Sequence, residues 1–199
     1  MHTLLPKFAA SCEMYDICVI AAANEHQAKG YWEQLRWRRS RELLPKETGF
    51  LAFADPQGKR IGSGGSTIYV LYKLLEHFCH TESSIQYPAS STWYSPCELF
   101  KGKRILILHS GGDSRRLPAY SAVGKIFFPL PTSFSPVLEW SEWRDGFVTL
   151  FDLFLNNLME LPRLHDGQMV VASGDVLLSF DASEVVFSCL SRMLGQQLT

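Results

Sequence analysis

Two glycines, two arginines and a lysine lie within seventeen residues of an apolar run, and together they are suited to a phosphate. Ile105-Leu-Ile-Leu108 leads through His109 into Ser110-Gly-Gly-Asp-Ser-Arg-Arg-Leu-Pro118, and Lys125 follows nine residues after Arg116. An apolar strand that opens into a glycine turn is how open α/β sheets present backbone N–H groups to a phosphate. The guanidiniums of Arg115 and Arg116 and the ammonium of Lys125 supply the charge such a ligand needs. The stretch reads as a loop that holds a nucleoside triphosphate.

A second glycine loop, Gly62-Ser-Gly-Gly-Ser-Thr67, stands before the apolar stretch Ile68 to Leu75, in which Ile68, Leu71 and Leu75 share helical spacing. It reads either as an anion site at a helix N-terminus or as a turn with Ser66 or Thr67 as N-cap. Gly174-Asp175 closes a third segment, Gly167 to Ser173. Two familiar motifs are excluded. Thr67 occupies the place of the third glycine in the dinucleotide fingerprint, and Ala119 with Ile126 breaks the Walker pattern around Gly124-Lys125. His109 fits neither a zinc motif nor a nucleophile elbow, and reads as a buried, hydrogen-bonded strand-end residue.

What remains is Gly-Gly-X-Ser-X-Arg-Leu-Pro with a later Gly-Lys. It is similar to the signature of sugar-1-phosphate nucleotidyltransferases. With Ile61 to Thr67 before it, Gly124-Lys-Ile-Phe127 within it and Ala172-Ser-Gly-Asp-Val176 after it, the chain resembles the fucose-1-phosphate guanylyltransferase family. That family includes the pyrophosphorylase half of bifunctional fucokinase/GDP-fucose pyrophosphorylases. Tyr15 to Glu25 resembles its first strand and helix, and the likeness runs roughly from Tyr15 to Asp181. Ser114 and Arg115 replace the Gly-Thr of the broader pattern and Gly124 its proline, which favours the fucose family over other sugar classes.

The resemblance implies transfer of GMP from GTP to fucose 1-phosphate, giving GDP-fucose and pyrophosphate with Mg²⁺. It implies nucleotide contacts at Gly62, Gly64, Gly65, Gly111, Gly112, Ser114 and Arg116. Arg116 would hold the leaving phosphates, Lys125 would neutralise the α-phosphate or the sugar phosphate, and Asp175 would coordinate Mg²⁺. Taken alone, Asp175 reads as a turn residue and Arg115 as a solvated one. The sequence ends soon after the Asp175 motif, Ser188 to Thr199 loses the family's look, and no sugar kinase follows. The expectation is therefore one partial nucleotidyltransferase domain over 1–199. Two alternatives stay open: a non-catalytic nucleotide-binding or interaction fragment, and the same chemistry on another sugar 1-phosphate.

The elements that must position these residues alternate. Asp16 to Ala23 is a continuous apolar run, as in a buried parallel strand, and Asn24 with Gln27 forms a capping-box pattern for a helix from Glu25 to about Leu44. Trp32, Leu35 and Tyr31 form its apolar stripe, and Arg36, Arg38, Arg39 and Arg41 read as a solvated face rather than a nucleic-acid surface. Phe50 to Asp55 is a second strand, Asp55-Pro-Gln-Gly58 a turn, and His80 to Lys103 an irregular excursion. The prolines of Ile126 to Pro131 exclude it from a central sheet position. Trp143 to Leu161 has helical spacing, with Phe147, Leu150, Phe151, Phe154, Leu155 and Leu158 on one stripe. Gly167 to Ser173 is a strand, and Val176 to Phe180 could extend the chain again. The expected fold is α/β, Rossmann-like, with a mostly parallel sheet flanked by helices.

Composition agrees. The chain has 199 residues, 46% hydrophobic and 20% charged, with net charge −1, so any anion site must be local rather than a broad basic surface. No secretory signal or bilayer-length apolar run is visible, and five scattered cysteines without metal-ligand spacing suit reduced thiols. A cytoplasmic protein without nucleic-acid or membrane partners is expected. Its oligomeric state is not legible.

Overall fold

A computed structural model describes residues 14–56, 59, 61–82, 100–110, 112, 124–130, 148–162, 167–176, 178, 180, 181, 184 and 185, with backbone alone at 79–82. Four strands, β1 (Ile17–Ala22), β2 (Gly49–Ala54), β3 (Arg104–His109) and β4 (Gln168–Ser173), form one sheet in the order β2-β1-β3-β4. Every pairing is parallel. This is the Rossmann-like α/β fold that the alternation of elements implied.

The central strands β1 and β3 are apolar without alternation because both of their faces are covered. β1 is buried at all six positions and β3 at five. Cys18, Ile20, Leu106 and Leu108 pack with α1 (Glu25–Ser40) and α3 (Leu150–Met159) on one face. Val19, Ala21, Ile105 and Ile107 pack with Val70 and Leu74 of α2 (Gly62–Glu82) on the other. β4 lies at the sheet edge and leaves Met169 and Val171 exposed. The Cys18 thiol is buried and unpaired, and burial pushes its pKa far up, which makes it inert. Among the described residues, no helix is long and apolar enough to cross a membrane.

Several local expectations need correction. α1 ends at Ser40, short of Leu44; the Arg41 N–H turns back to the carbonyls of Arg38 and Arg39, and Glu42 takes a φ of 58°. Arg38 is not solvated but 1% exposed, with Nε 2.8 Å and Nη2 3.0 Å from the two Asp152 carboxylate oxygens. Its guanidinium also donates to Thr149 Oγ1 at 2.9 Å and lies over the Phe127 ring. Arg39 remains on the surface but donates to the carbonyls of Pro45 and Thr48. Of the predicted stripe, Tyr31 and Leu35 are buried, together with Ala28, whereas Trp32 is exposed.

Of the helix expected over Trp143 to Leu161, residues 143–147 lie outside the described residues, and the described part begins at Leu150. Thr149 is extended and pairs with Pro129 in an antiparallel bridge, so α3 starts at Leu150. The Asp152 carboxylate accepts the Thr149 N–H at 2.8 Å and its hydroxyl at 2.6 Å, which closes the cap. Phe147 lies outside the described residues. Val176, Leu178 and Phe180 are not in a strand. The prolines keep 128–130 out of the sheet as expected, and Lys125–Phe127 is a single 3₁₀ turn.

Candidate functional site

A parallel sheet places its loops and helix N-termini at the carboxyl edge, and ligands bind where neighbouring connections leave in opposite directions. In the order β2-β1-β3-β4 that point lies between β1 and β3. A cavity of about 270 Å³ opens there, lined by the ends of all four strands, the first turn of α2, and Gly112 and Lys125. Residues separated by up to 154 positions in sequence, Ala21 to Asp175, therefore meet at one rim.

The second glycine loop enters this rim in an unexpected form. Gly62 begins α2 with a φ of +72°, and Gly64 and Gly65 already lie inside its first turn. Neither Ser66 nor Thr67 caps the helix. The Thr67 hydroxyl donates to the Ser63 carbonyl at 3.0 Å. Its one proton is thereby committed, so His109 Nε2, 2.7 Å away, carries the hydrogen and donates to Thr67 Oγ1. This pair joins the first turn of α2 to the end of β3. Burial holds the His109 imidazole below its ordinary pKa, and the nearby Asp55 charge opposes that shift. The expectation of a hydrogen-bonded strand-end histidine holds.

The loop after β3 is propped from α1. Gln27, 2% exposed, accepts the Ala23 N–H at 2.8 Å and donates to the Gly112 carbonyl at 3.2 Å. The cap pattern is therefore split: Asn24 Oδ1 accepts the Gln27 N–H, while the Gln27 side chain serves Ala23 and the site. Four residues on, the buried Tyr31 hydroxyl lies 3.0 Å from both the carbonyl and the hydroxyl oxygen of Ser110. The same ring packs against Phe127 at 5.5 Å between centroids. Gly124 passes directly beneath it: a Cβ there would lie 2.1 Å from the Tyr31 hydroxyl oxygen, and φ is +65°. Proline, fixed near −65°, could not occupy that place. The departure at Gly124 thus has a cause in this fold.

Lys125 follows at once, with Nζ 4.0 Å from an Asp175 carboxylate oxygen. The other Asp175 oxygen accepts the Ser173 hydroxyl at 2.6 Å. Gly174 brings this turn close, its N–H donating to the His109 carbonyl at 2.7 Å and its α-carbon facing Ser110 and Ile126. Lysine and aspartate face the cavity with side chains half exposed, open to an incoming group.

The structure thus brings together Gly62, Gly112, Lys125 and Asp175 at one cavity and places Gly64 and Gly65 in the helical turn beside it. Gly111, Ser114, Arg115 and Arg116 lie outside the described residues. Three contributors were not singled out as site residues from sequence. Tyr31 was read only as core, and Gln27 only as a cap. Asp55 was read as the first residue of a turn; its position at the end of a strand, before a glycine loop, was the available signal.

The architecture is that of a Rossmann-like α/β protein with a cleft built from glycine turns, a lysine and an aspartate at the carboxyl edge of a parallel sheet. The resemblance to the fucose-1-phosphate guanylyltransferase family is borne out: residues 98–192 match the fucose pyrophosphorylase domain. The chain is 34% identical over 174 residues to the bifunctional fucokinase/GDP-fucose pyrophosphorylase of Arabidopsis thaliana, covering 84% of this chain and 16% of that protein. It is 35% identical over 150 residues to the fucose-1-phosphate guanylyltransferase of Homo sapiens, covering 75% and 22%. The counterpart in Mus musculus is 32% identical over 182 residues, covering 90% and 26%. The chain therefore spans about a quarter or less of the length of these relatives. No solved structure matches it significantly.

Proposed function

We propose that this chain is a sugar-1-phosphate nucleotidyltransferase that takes GTP and fucose 1-phosphate and yields GDP-fucose and pyrophosphate. The observation that carries the reading is the convergence of Gly62, Gly112, Lys125 and Asp175 on one cavity at the switch point of the sheet. Gly64 and Gly112 support it further. Neither has a positive φ, and a Cβ on either would meet no protein atom within 4 Å, so the described fold does not itself demand glycine there. Close approach of a ligand at Gly112, on the cavity rim, would.

In this reaction an oxygen of the sugar phosphate attacks the α-phosphorus, a P–O bond forms, and the bond to the β-phosphate oxygen breaks as pyrophosphate leaves. Charge stays on phosphoryl oxygens throughout, so positioning and electrostatic stabilisation carry the catalysis. Lys125 places an ammonium on the rim beside Asp175, where it neutralises the α-phosphate or the sugar phosphate. Gly112, pinned by Gln27, and the first turn of α2 border the nucleotide. Arg116, by its place in the motif, holds the leaving phosphates.

Asp175 suits Mg²⁺. A single carboxylate open to the cavity, completed by phosphate oxygens and water, is an ordinary donor set for that ion. When bound, the ion would neutralise phosphate charge; the nearby Lys125 and the Ser173 hydroxyl hold the carboxylate in orientation.

The test is pyrophosphate release by the 199-residue chain with GTP, Mg²⁺ and a panel of sugar 1-phosphates that includes fucose and mannose. Release with fucose 1-phosphate in preference to the others is expected. The absence of both pyrophosphate release and GTP binding would refute the assignment. GTP binding without release would instead identify a nucleotide-binding module, a reading favoured by the small share of its relatives that the chain spans.

A further inference from the structure

Asp55 lines the cavity from the end of β2, and the phosphate chemistry leaves it unused. With strands about 4.8 Å apart, β2 lies roughly 14 Å from β4 and roughly 10 Å from β3. Asp55 therefore cannot share an ion with Asp175, and among the described residues no group of three potential metal ligands exists. His109 feels its charge, but the imidazole Nε2–H is already given to Thr67.

The rim between the two aspartates has a definite order. Lys125 and Asp175 stand at the β4 end. Ala21, Ala22 and Ala23, at the end of β1, form a floor without polar side chains. Asp55 stands at the β2 end, and Ser63 and Ser66 of the first turn of α2 also line the cavity. A nucleotide with its phosphates at Lys125 lays its ribose over the alanine floor and carries its base to Asp55.

We infer that Asp55 selects guanine: its carboxylate accepts the N1–H and the N2 amino hydrogen of the base. Those two donors are parallel and match the two oxygens of one carboxylate. Adenine presents a lone pair at N1, which a carboxylate repels. Hypoxanthine keeps the N1–H and lacks the amino group. The inference rests on the reading of the site as a GTP site and names the residue that chooses the base.

The test is equilibrium binding of GTP, ITP, ATP and 2′-deoxy-GTP, each with Mg²⁺, to the whole chain and to Asp55→Asn, with thermal melting of both. A bidentate base contact is worth about 10- to 100-fold in discrimination. The wild-type chain should prefer GTP to ITP and ATP, and Asp55→Asn should lose about that factor for GTP, much less for ITP, at an unchanged melting temperature. Equal losses for GTP and ITP would overturn the inference. So would a loss expressed only between GTP and 2′-deoxy-GTP, which would move Asp55 to the ribose. If the wild-type chain bound none of the four, the GTP reading itself would fail and the inference with it.

Discussion

Replacing Gly124 by alanine tests whether the turn before Lys125 is fixed by its contact with α1. Two costs add there. With φ 65° and ψ 166°, the residue sits in a region that is essentially glycine-only, where a side chain costs roughly 1–3 kcal/mol. The new Cβ also lands 2.1 Å from the Tyr31 hydroxyl oxygen and 2.8 Å from a ring carbon. The ring must move, which gives up its hydrogen bond to Ser110, about 1 kcal/mol, and strains a packed core by about 1–3 kcal/mol. The expected loss is about 3–7 kcal/mol in urea unfolding, a large part of the stability of a small domain. Gly102 supplies the control, since it too has a positive φ, +71°, but open space around its Cβ position. Gly102→Ala should cost about 1–2 kcal/mol, the backbone part alone. If the two substitutions cost the same to within about 0.5 kcal/mol, the contact with Tyr31 is not what fixes the turn.

Other perturbations separate the scaffold from the site. Arg38→Met or Asp152→Asn alone leaves a buried group without its partner and should cost about 3–5 kcal/mol in the same assay, whereas Arg38→Met with Asp152→Leu should recover much of it. Lys125→Ala should weaken GTP binding about 10- to 150-fold by calorimetry, the worth of one hydrogen bond to a charged group, and leave the melting temperature within a degree or two. His109 gives a pH signature. Its folded pKa is lowered, so the unfolded chain binds more protons as pH falls below about 6.5, and stability should decline across that range. A His109→Gln variant should show a flatter profile between pH 7 and roughly pH 5.

The strands were legible because burial on both faces of a parallel sheet writes itself as an unbroken apolar run, as in Ile17–Ala22. The cap at Asn24 was legible because it is local chemistry within four residues. Arg38 was not, because its partner Asp152 is 114 residues away and four neighbouring arginines make any one look solvated. The glycine loop at Gly62 read as a segment before the helix in both of its readings, since glycine is a poor helix former. Packing of Val70 and Leu74 under the sheet nevertheless holds the helix that it begins. In the site, Lys125 and Asp175 could be named only through the family resemblance, since Asp175 by itself reads as a turn residue. Tyr31 and Asp55 could not be placed before the sheet order was known, because only the fold puts α1 under Gly124 and the end of β2 on the cavity rim.

The central pairing of the sheet has a consequence for how the molecule is made. Asp16 and Arg104, 88 residues apart, are joined where β1 meets β3. During synthesis at about 5–20 residues per second, β1, α1 and β2 therefore wait for roughly 4–18 seconds with one edge of β1 unsatisfied. That edge carries Cys18, Val19 and Ile20, an apolar strand of the kind that pairs with other chains. The cavity rim closes only when β3 and then β4 arrive, so the ligand site cannot exist before Asp175 has been made, long after β1 and α1.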